Sequence, residues 1–192
     1  MISRAESAAA TRAALLESAA ELLARGGPDA VTLRGVAARA GVSRGAPYGH
    51  FRDKEQLLVQ LAIDGWDRLT EELDRLRRDE LRPPDRLQRA LSVYLDIGRG
   101  QPHLYALMFT VPAEDPGGLE EAATRSQQHF LAIVADLVGA DEVRLYGALL
   151  MSAVHGIVGM DRSGHLARDK WRVTPEDLLA ALTSTIVHAE PN

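Results

Sequence analysis

The residues most able to do chemistry lie in one stretch, positions 32–54, with the sequence TLRGVAARAGVSRGAPYGHFRDK. Val36, Ala37 and Ala40 at helical spacing predict a short helix at about 33–40, and Ser43 as a capping residue predicts another at about 43–49, with Gly41 turning the chain between them. A helix-turn-helix of this kind inserts its second helix into the major groove of DNA. That helix is built mainly from small residues, so its backbone can approach base edges closely, and Arg44 is its long hydrogen-bond donor.

Hydrogen-bonding tips and cations around this second helix are suited to phosphate oxygens. Tyr48 and His50 lie in and just after it, and Lys54 lies at the start of the next predicted helix, where its charge adds to the free amides of the first turn. The predicted DNA-contacting residues are Thr32, Arg34, Ser43, Arg44, Gly45, Ala46, Tyr48, His50 and Lys54. The alternatives are solvated surface side chains for Arg44, His50 and Lys54, and core packing for Tyr48.

Neighbouring residues have predicted structural roles. Thr32 is expected to cap the first short helix while also touching phosphate, and Ser43 is expected to cap the second. Phe51 is predicted to be a core residue. Its expected neighbours are Leu15, Val36 and Leu57.

The charge distribution fits a polyanion partner only weakly. The whole chain has a formal charge of −5, from 22 Lys and Arg against 27 Asp and Glu. Residues 1–54 hold 8 of the basic and 5 of the acidic residues, a balance of +3, which leaves −8 for residues 55–192. A small basic head on an acidic body is the expected organisation.

Composition favours helices throughout. Ala and Leu, both strong helix formers, occupy 29 and 27 of the 192 positions, and aromatic residues make up 5%. The absence of cysteine excludes disulfides and thiolate zinc sites. Neither a signal peptide nor a membrane-spanning segment is expected, so a cytoplasmic protein is predicted. The histidines lack metal-ligand spacing, and no metal or cofactor is predicted.

Hydrophobic periodicity and helix-capping residues predict an all-α fold of about nine helices. The expected spans are about 11–25, 33–40, 43–49, 53–78, 85–99, 103–109, 119–138, 142–160 and 174–188. The expected domains are a three-helix DNA-binding head, residues 1–54, and a helical ligand-binding and dimerisation body, residues 55–192. The fourth helix, about 53–78, links them.

Residues 37–57 resemble the signature of the DNA-binding domain of TetR-family transcriptional regulators. The family pattern A-x-x-A-G-V-S-x-G-x-x-Y-x-H-F-x-x-K-E-x-L is matched here by AARAGVSRGAPYGHFRDKEQL. Pro47 stands where an aliphatic residue is commoner; it removes a backbone donor and is expected to stiffen or shorten the recognition helix. Further along, residues 102–109 and 153–156 resemble a subgroup with a W-x-x-x-H-G signature, although Met151 replaces the tryptophan.

The resemblance implies a homodimer formed through the eighth and ninth predicted helices, and an inducer pocket in the body. These helices also present more apolar faces than one monomer would bury comfortably. The predicted interface residues are Tyr146, Leu149, Leu150, Ala153, Ile157, Leu178, Leu182 and Ile186. The predicted pocket residues, for which ordinary core packing is the alternative, are Trp66, Tyr94, His103, Met108, Phe109, Phe130, Met151 and His155.

Three functions remain open at this point. The first is a repressor that leaves a near-palindromic operator when a small molecule binds its body. The second is a dimeric DNA-binding regulator without an inducer. The third, a helical enzyme, is disfavoured because the sequence contains no catalytic triad, phosphate loop, HExxH motif or metal cluster.

Overall fold

The computed structural model describes residues 3–110, 118–166 and 171–187, and these residues form helices and turns without strands. The all-α prediction is confirmed. The helices are α1 (Arg4–Ala30), α2 (Leu33–Arg39), α3 (Lys54–Arg78), α4 (Pro83–Gly100), α5 (Pro102–Met108), α6 (Leu119–Arg162) and α7 (Pro175–Val187), with a 3₁₀ turn at Ala46–Gly49.

The predicted number of about nine helices is too high for the described residues, for two reasons. The predicted helices at 119–138 and 142–160 are joined as α6, which is interrupted only at Gly139, where φ is 78°. The third predicted helix is a single 3₁₀ turn rather than an α-helix.

α1 starts earlier than predicted because a capping box precedes it. The Ser3 side chain accepts a hydrogen bond from the Glu6 backbone N–H, and the Glu6 carboxylate accepts one from the Ser3 N–H. The Ser3 backbone N–H, followed by the Ser3 side chain, lowers the pKa of Glu6. At the other end, regular helical dihedrals stop at Gly26 and Gly27, as the Gly-Gly-Pro sequence predicts.

The chain divides into two compact units within α3, between Gly65 and Trp66. The first unit comprises residues 1–65 and 102–120. Its core contains Phe51 together with Leu15, Val36 and Leu57, which confirms the predicted role of Phe51. α5 packs against α1 in this unit. The division into a head of residues 1–54 and a body of residues 55–192 stays a prediction.

The second unit comprises residues 66–101 and 121–192. Here α4 packs closely on α6: a Cβ added to Gly98 would collide with the Val158 side chain. Arg99 at the end of α4 pairs with Asp161 of α6, at 2.7 Å, and with Glu176 of α7. These hydrogen bonds raise the pKa of Arg99 and lower that of Glu176. A three-way ion pair therefore joins the ends of three helices.

Among the described helices, α6 is long and apolar enough, by length and composition alone, to cross a membrane. Buried helices of soluble proteins meet the same criterion, so this feature is weak support for a membrane span.

Candidate nucleic-acid interface

α2, the helix that precedes the candidate interface, begins with a side-chain cap. The Gly35 backbone N–H donates to the Thr32 hydroxyl at 3.0 Å, so Thr32 caps α2 as predicted. Thr32 and Arg34 are both exposed in the first turn. After α2, Gly41 adopts a φ of 68° and turns the chain, and the Val42 N–H donates to the Ala37 carbonyl at 3.1 Å.

Residues 43–50, the recognition segment, form a tight turn rather than a full α-helix. The Tyr48 N–H donates to the Gly45 carbonyl at 3.2 Å, and the His50 N–H donates to the Pro47 carbonyl at 3.0 Å. Both are bonds between residues three apart, as in a 3₁₀ helix. Pro47 is buried near the start of this turn and has no N–H to extend a longer ladder. The predicted shortening at Pro47 is therefore observed.

The predicted capping role of Ser43 is wrong. The residue in the cap position is Gly45, and no side chain caps the turn. Ser43 contributes its carbonyl instead, which accepts from the Ala46 N–H at 3.0 Å. Because the α-helical turn that a Ser43 hydroxyl would cap does not form, the hydroxyl is left exposed on the surface.

Most of the recognition segment faces outward. Ser43, Arg44 and Gly45 are exposed, and Ala46 and His50 are half-buried. Tyr48 is 65% exposed, which excludes the core-packing alternative for this side chain. The apolar ring of Tyr48 stays in contact with water, which is unfavourable in the isolated chain. Its ring and hydroxyl are therefore available to a partner.

α3 begins beside the recognition segment with a reciprocal cap. The Gln56 N–H donates to Asp53 Oδ1 at 2.8 Å, and the Arg52 N–H donates to Gln56 Oε1 at 2.6 Å. The Gln56 N–H, followed by the Arg52 side chain, lowers the pKa of Asp53. Arg52 also pairs with Asp53 at 2.7 Å, so these two charges offset each other and Lys54 remains as the cation of this turn.

Three of the predicted contact cations have no carboxylate partner within the described part of the chain. Arg34, Arg44 and Lys54 form no ion pair there, whereas Arg39 pairs with Glu21. Arg34 and Arg44 are exposed and Lys54 is half-buried, and cations without a carboxylate partner suit phosphate groups.

Arg12 is a residue of this region that sequence reasoning missed. Its guanidinium lies over the Phe51 ring, 5.4 Å from the centroid, and donates to Gln60 Oε1 at 2.8 Å. Gln60 in turn donates to Asp64 at 2.8 Å. Arg12 thus ties α1 to α3 and to the residue that follows the recognition segment. Arg12 and Gln60 are 48 positions apart, and no local pattern indicates such a pairing.

The predicted pocket residues are divided between the two units, and their role as a pocket stays a prediction. Tyr94 and Phe130 meet edge-to-face at 5.6 Å in the second unit, where both are buried. Trp66 is also buried there, Met151 is half-buried, and His155 is exposed. The remaining three residues lie in the first unit. His103 packs over Gly27, and Met108 packs against Gly65. The ring centroids of Phe109 and Tyr105 are 4.8 Å apart.

Two cavities near these helices are lined by other residues. An apolar cavity of about 120 Å³ in the first unit is bordered by Leu58, Val59, Ala62 and Leu107, among others. A groove of about 330 Å³ in the second unit is lined by Arg68, Leu69, Glu72, Val93, Asp96 and Ile97. The second unit also contains two buried atoms without a hydrogen-bond partner among the described residues, Ser126 Oγ and His129 Nδ1.

The predicted dimer residues fall into two groups. Leu150, Ile157 and Ile186 are buried within the chain, because they face its own core rather than its surface. Leu149 is 50% exposed, and Tyr146, Ala153, Leu178 and Leu182 are half-buried. Sequence reasoning missed Leu145 and Met160, both exposed on the same helix as Leu149. Their spacing along α6 puts Leu145 and Leu149 one turn apart.

Two family models match the chain. One, described as bacterial regulatory proteins, tetR family, matches residues 15–61, and the other, described as the tetracyclin repressor-like C-terminal domain, matches residues 87–186. The chain is 36% identical over 96 residues to the HTH-type transcriptional repressor Rv1474c of Mycobacterium tuberculosis, covering 47% of this chain and 51% of the relative. The chain thus spans about half the length, or less, of the curated relatives it matches.

Solved structures share the fold over nearly the whole chain. A protein of unknown function from Rhodococcus sp. RHA1 has a TM-score of 0.78 and 27% identity, covering 92% of this chain and 93% of that one. The transcriptional regulator FadR from Bacillus subtilis, in complex with stearoyl-CoA, has a TM-score of 0.64 and 16% identity, covering 92% and 97%.

Proposed function

The chain belongs to the TetR family of bacterial regulatory proteins, and we propose that it is a homodimeric transcriptional repressor that binds a specific operator through the recognition segment. The observation that carries this proposal is the exposed recognition segment, with Tyr48 projecting to solvent and Arg44 free of any carboxylate in the described residues. The family's regulators are not enzymes, which leaves the enzyme alternative without support.

Each predicted contact has a proposed role. Arg44 reads a guanine edge or a phosphate, and Tyr48 and His50 donate to phosphate oxygens. Lys54 and Arg34 neutralise phosphates on either side of the groove. Thr32, Ser43, Gly45 and Ala46 complete the surface that faces the DNA.

Dimerisation through α6 and α7 is supported by two glycines that neither the backbone conformation nor the packing of the single chain requires. Gly156 and Gly159 lie inside α6, outside the positive-φ region, and a Cβ on either would meet nothing within 4 Å. Glycine inside a helix costs about 1 kcal/mol relative to alanine. A second copy approaching closely over these glycines and the exposed Leu145, Leu149 and Met160 would offset that cost. A two-fold dimer reads a near-palindromic operator.

We further propose that a small molecule bound in the second unit releases the protein from its operator. Ser126 Oγ supports it, because buried polar atoms are rarely left without a hydrogen-bond partner, whereas His129 Nδ1 lies 3.9 Å from Asp74 Oδ1. α3 runs continuously through residues of both units, so it is the proposed element through which a ligand shifts the DNA-binding state. The alternative is a regulator whose second unit only dimerises.

The test is fluorescence anisotropy of the purified protein on duplex DNA from upstream of its own gene, near physiological salt and with excess competitor DNA. Specific binding by the wild type that falls in Arg44→Ala supports the proposal. Arg25→Ala, which removes an exposed arginine at the far end of α1, is the matched control and should bind normally. Equal binding by Arg44→Ala and the wild type would remove Arg44 from the interface.

A further inference from the structure

Glycine is used in the first unit for identifiable structural reasons, with two exceptions. The described residues of this unit include eight glycines. Three have positive φ: Gly27, Gly41 and Gly118. Three are crowded, so that a Cβ would lie within 3.0 Å of a neighbouring side-chain atom: Gly26, Gly35 and Gly65. The two that remain are Gly45 and Gly49, and both belong to the recognition segment.

Neither exception is explained by backbone conformation or by packing. Gly45 has φ −85° and ψ −18°, which any residue adopts readily, and Gly49 lies outside the positive-φ region. A Cβ on either residue would meet nothing within 4 Å. Alanine would therefore fit at both positions, and it would reduce the conformational entropy of the unfolded chain. By the criterion of stability alone, glycine is the poorer choice.

We propose that Gly45 and Gly49 set how deeply the recognition segment enters the operator, because DNA groups occupy the space that their side chains would take. This inference rests on the proposed DNA-binding function; it gives Gly45, already a proposed contact, a role in specificity and adds Gly49 to the interface. Gly49 directly follows the exposed Tyr48, Gly45 lies three positions before it, and both glycines are themselves exposed. The partner chemistry is the wall of the major groove, namely base edges and sugar-phosphate backbone, in van der Waals contact with glycine Cα atoms.

If the two glycines have this role, substituting either one should impair the fit of the recognition segment in the major groove without changing the charge of the protein. A methyl group at either position would hold the segment away from the base edges and weaken the short-range contacts that discriminate sequence. Long-range attraction between cations and phosphates would persist, since Arg44 and Lys54 are unchanged. Affinity for the operator should therefore fall far more than affinity for unrelated DNA, and the slope of log K against log salt should stay the same.

The experiment compares Gly45→Ala, Gly49→Ala and Gly49→Leu with the wild type. Each is measured for thermal unfolding and for binding to operator and to unrelated duplex over a salt series. We expect a melting temperature equal to or above that of the wild type for both alanine variants. We expect a loss of about tenfold in operator affinity for each alanine variant, a larger loss for Gly49→Leu, and less than about twofold change on unrelated DNA.

The matched control is Gly100→Ala in the second unit, where a Cβ also meets open space. It should bind operator as the wild type does. Normal operator binding by Gly45→Ala and Gly49→Ala would overturn this inference while leaving the proposed function intact. A failure of the wild type to select any DNA sequence would instead contradict the proposed function itself.

Discussion

Individual side chains of the candidate interface have two proposed roles, base recognition and phosphate binding. Arg44 lies in the recognition segment, whereas Lys54 lies in the first turn of α3 beside the mutually paired Arg52 and Asp53. The composition of this surface was evident from the sequence, since the residue types and their spacing are local. The contact of Arg12 with Phe51 was not, because it depends on the packing of α1 against a distant segment.

Arg44→Ala is expected to lower operator affinity by about 1–3 kcal/mol if Arg44 contacts a base, and to relax the preference at one operator position. The reason is that its bidentate donor pair distinguishes guanine from the other bases. Binding curves on operators with single base-pair changes measure this directly. A uniform loss on all sequences would reassign Arg44 to a phosphate.

Lys54→Ala is expected to weaken binding to every DNA sequence alike and to reduce the salt slope by about 1, because one released counterion is lost. Anisotropy titrations at several salt concentrations provide the slope. Arg52→Ala is a useful comparison, because Arg52 is already paired with Asp53. An unchanged slope in Lys54→Ala would exclude a phosphate contact for this lysine.

At the scale of helices, the ends were predictable where a local signal exists. α3 was expected at about 53–78 and spans Lys54–Arg78, because Asp53 caps it and Gln56 completes the cap. The extra turns at the start of α1 were missed, although Ser3 and Glu6 have capping-box spacing. The 3₁₀ form of the turn at Ala46–Gly49 was not predicted, because a proline removes a backbone donor without fixing the hydrogen-bond type of the turn.

The packing of α4 on α6 gives a stability prediction with its own control. Gly98→Ala should destabilise the protein by about 1–3 kcal/mol, because the added methyl collides with Val158 in a packed interior. Gly100→Ala, two residues along the same helix, should leave stability unchanged or raise it, since its Cβ meets open space. Thermal unfolding of both variants provides the comparison. Equal melting temperatures for Gly98→Ala and the wild type would contradict this packing.

At the scale of the whole molecule, the proposed function requires a dimer. The family resemblance implied which helices would form the interface, but three of the eight predicted interface residues are buried within the chain. Periodicity identifies the apolar positions of a helix without saying which of two apolar faces lies against its own core. The exposed residues Leu145, Leu149 and Met160 define the face that the structure leaves uncovered on α6.

Leu149→Glu is expected to convert the dimer to monomers and to reduce operator affinity, because a charge would be buried without a partner at the interface. Gln128→Glu adds the same charge at an exposed position in the first half of α6 and should remain dimeric. Sedimentation equilibrium measures both. A wild type that is monomeric at micromolar concentration would contradict the proposed dimer.

The most direct test of the central claim is a binding selection from random duplex DNA, carried out in parallel with the wild type and Arg44→Ala. We expect the wild type to enrich a single near-palindromic motif and Arg44→Ala to lose the enrichment at symmetry-related positions in both half-sites. Enrichment of no sequence by the wild type would contradict sequence-specific recognition, and an identical motif from both proteins would contradict base readout by Arg44.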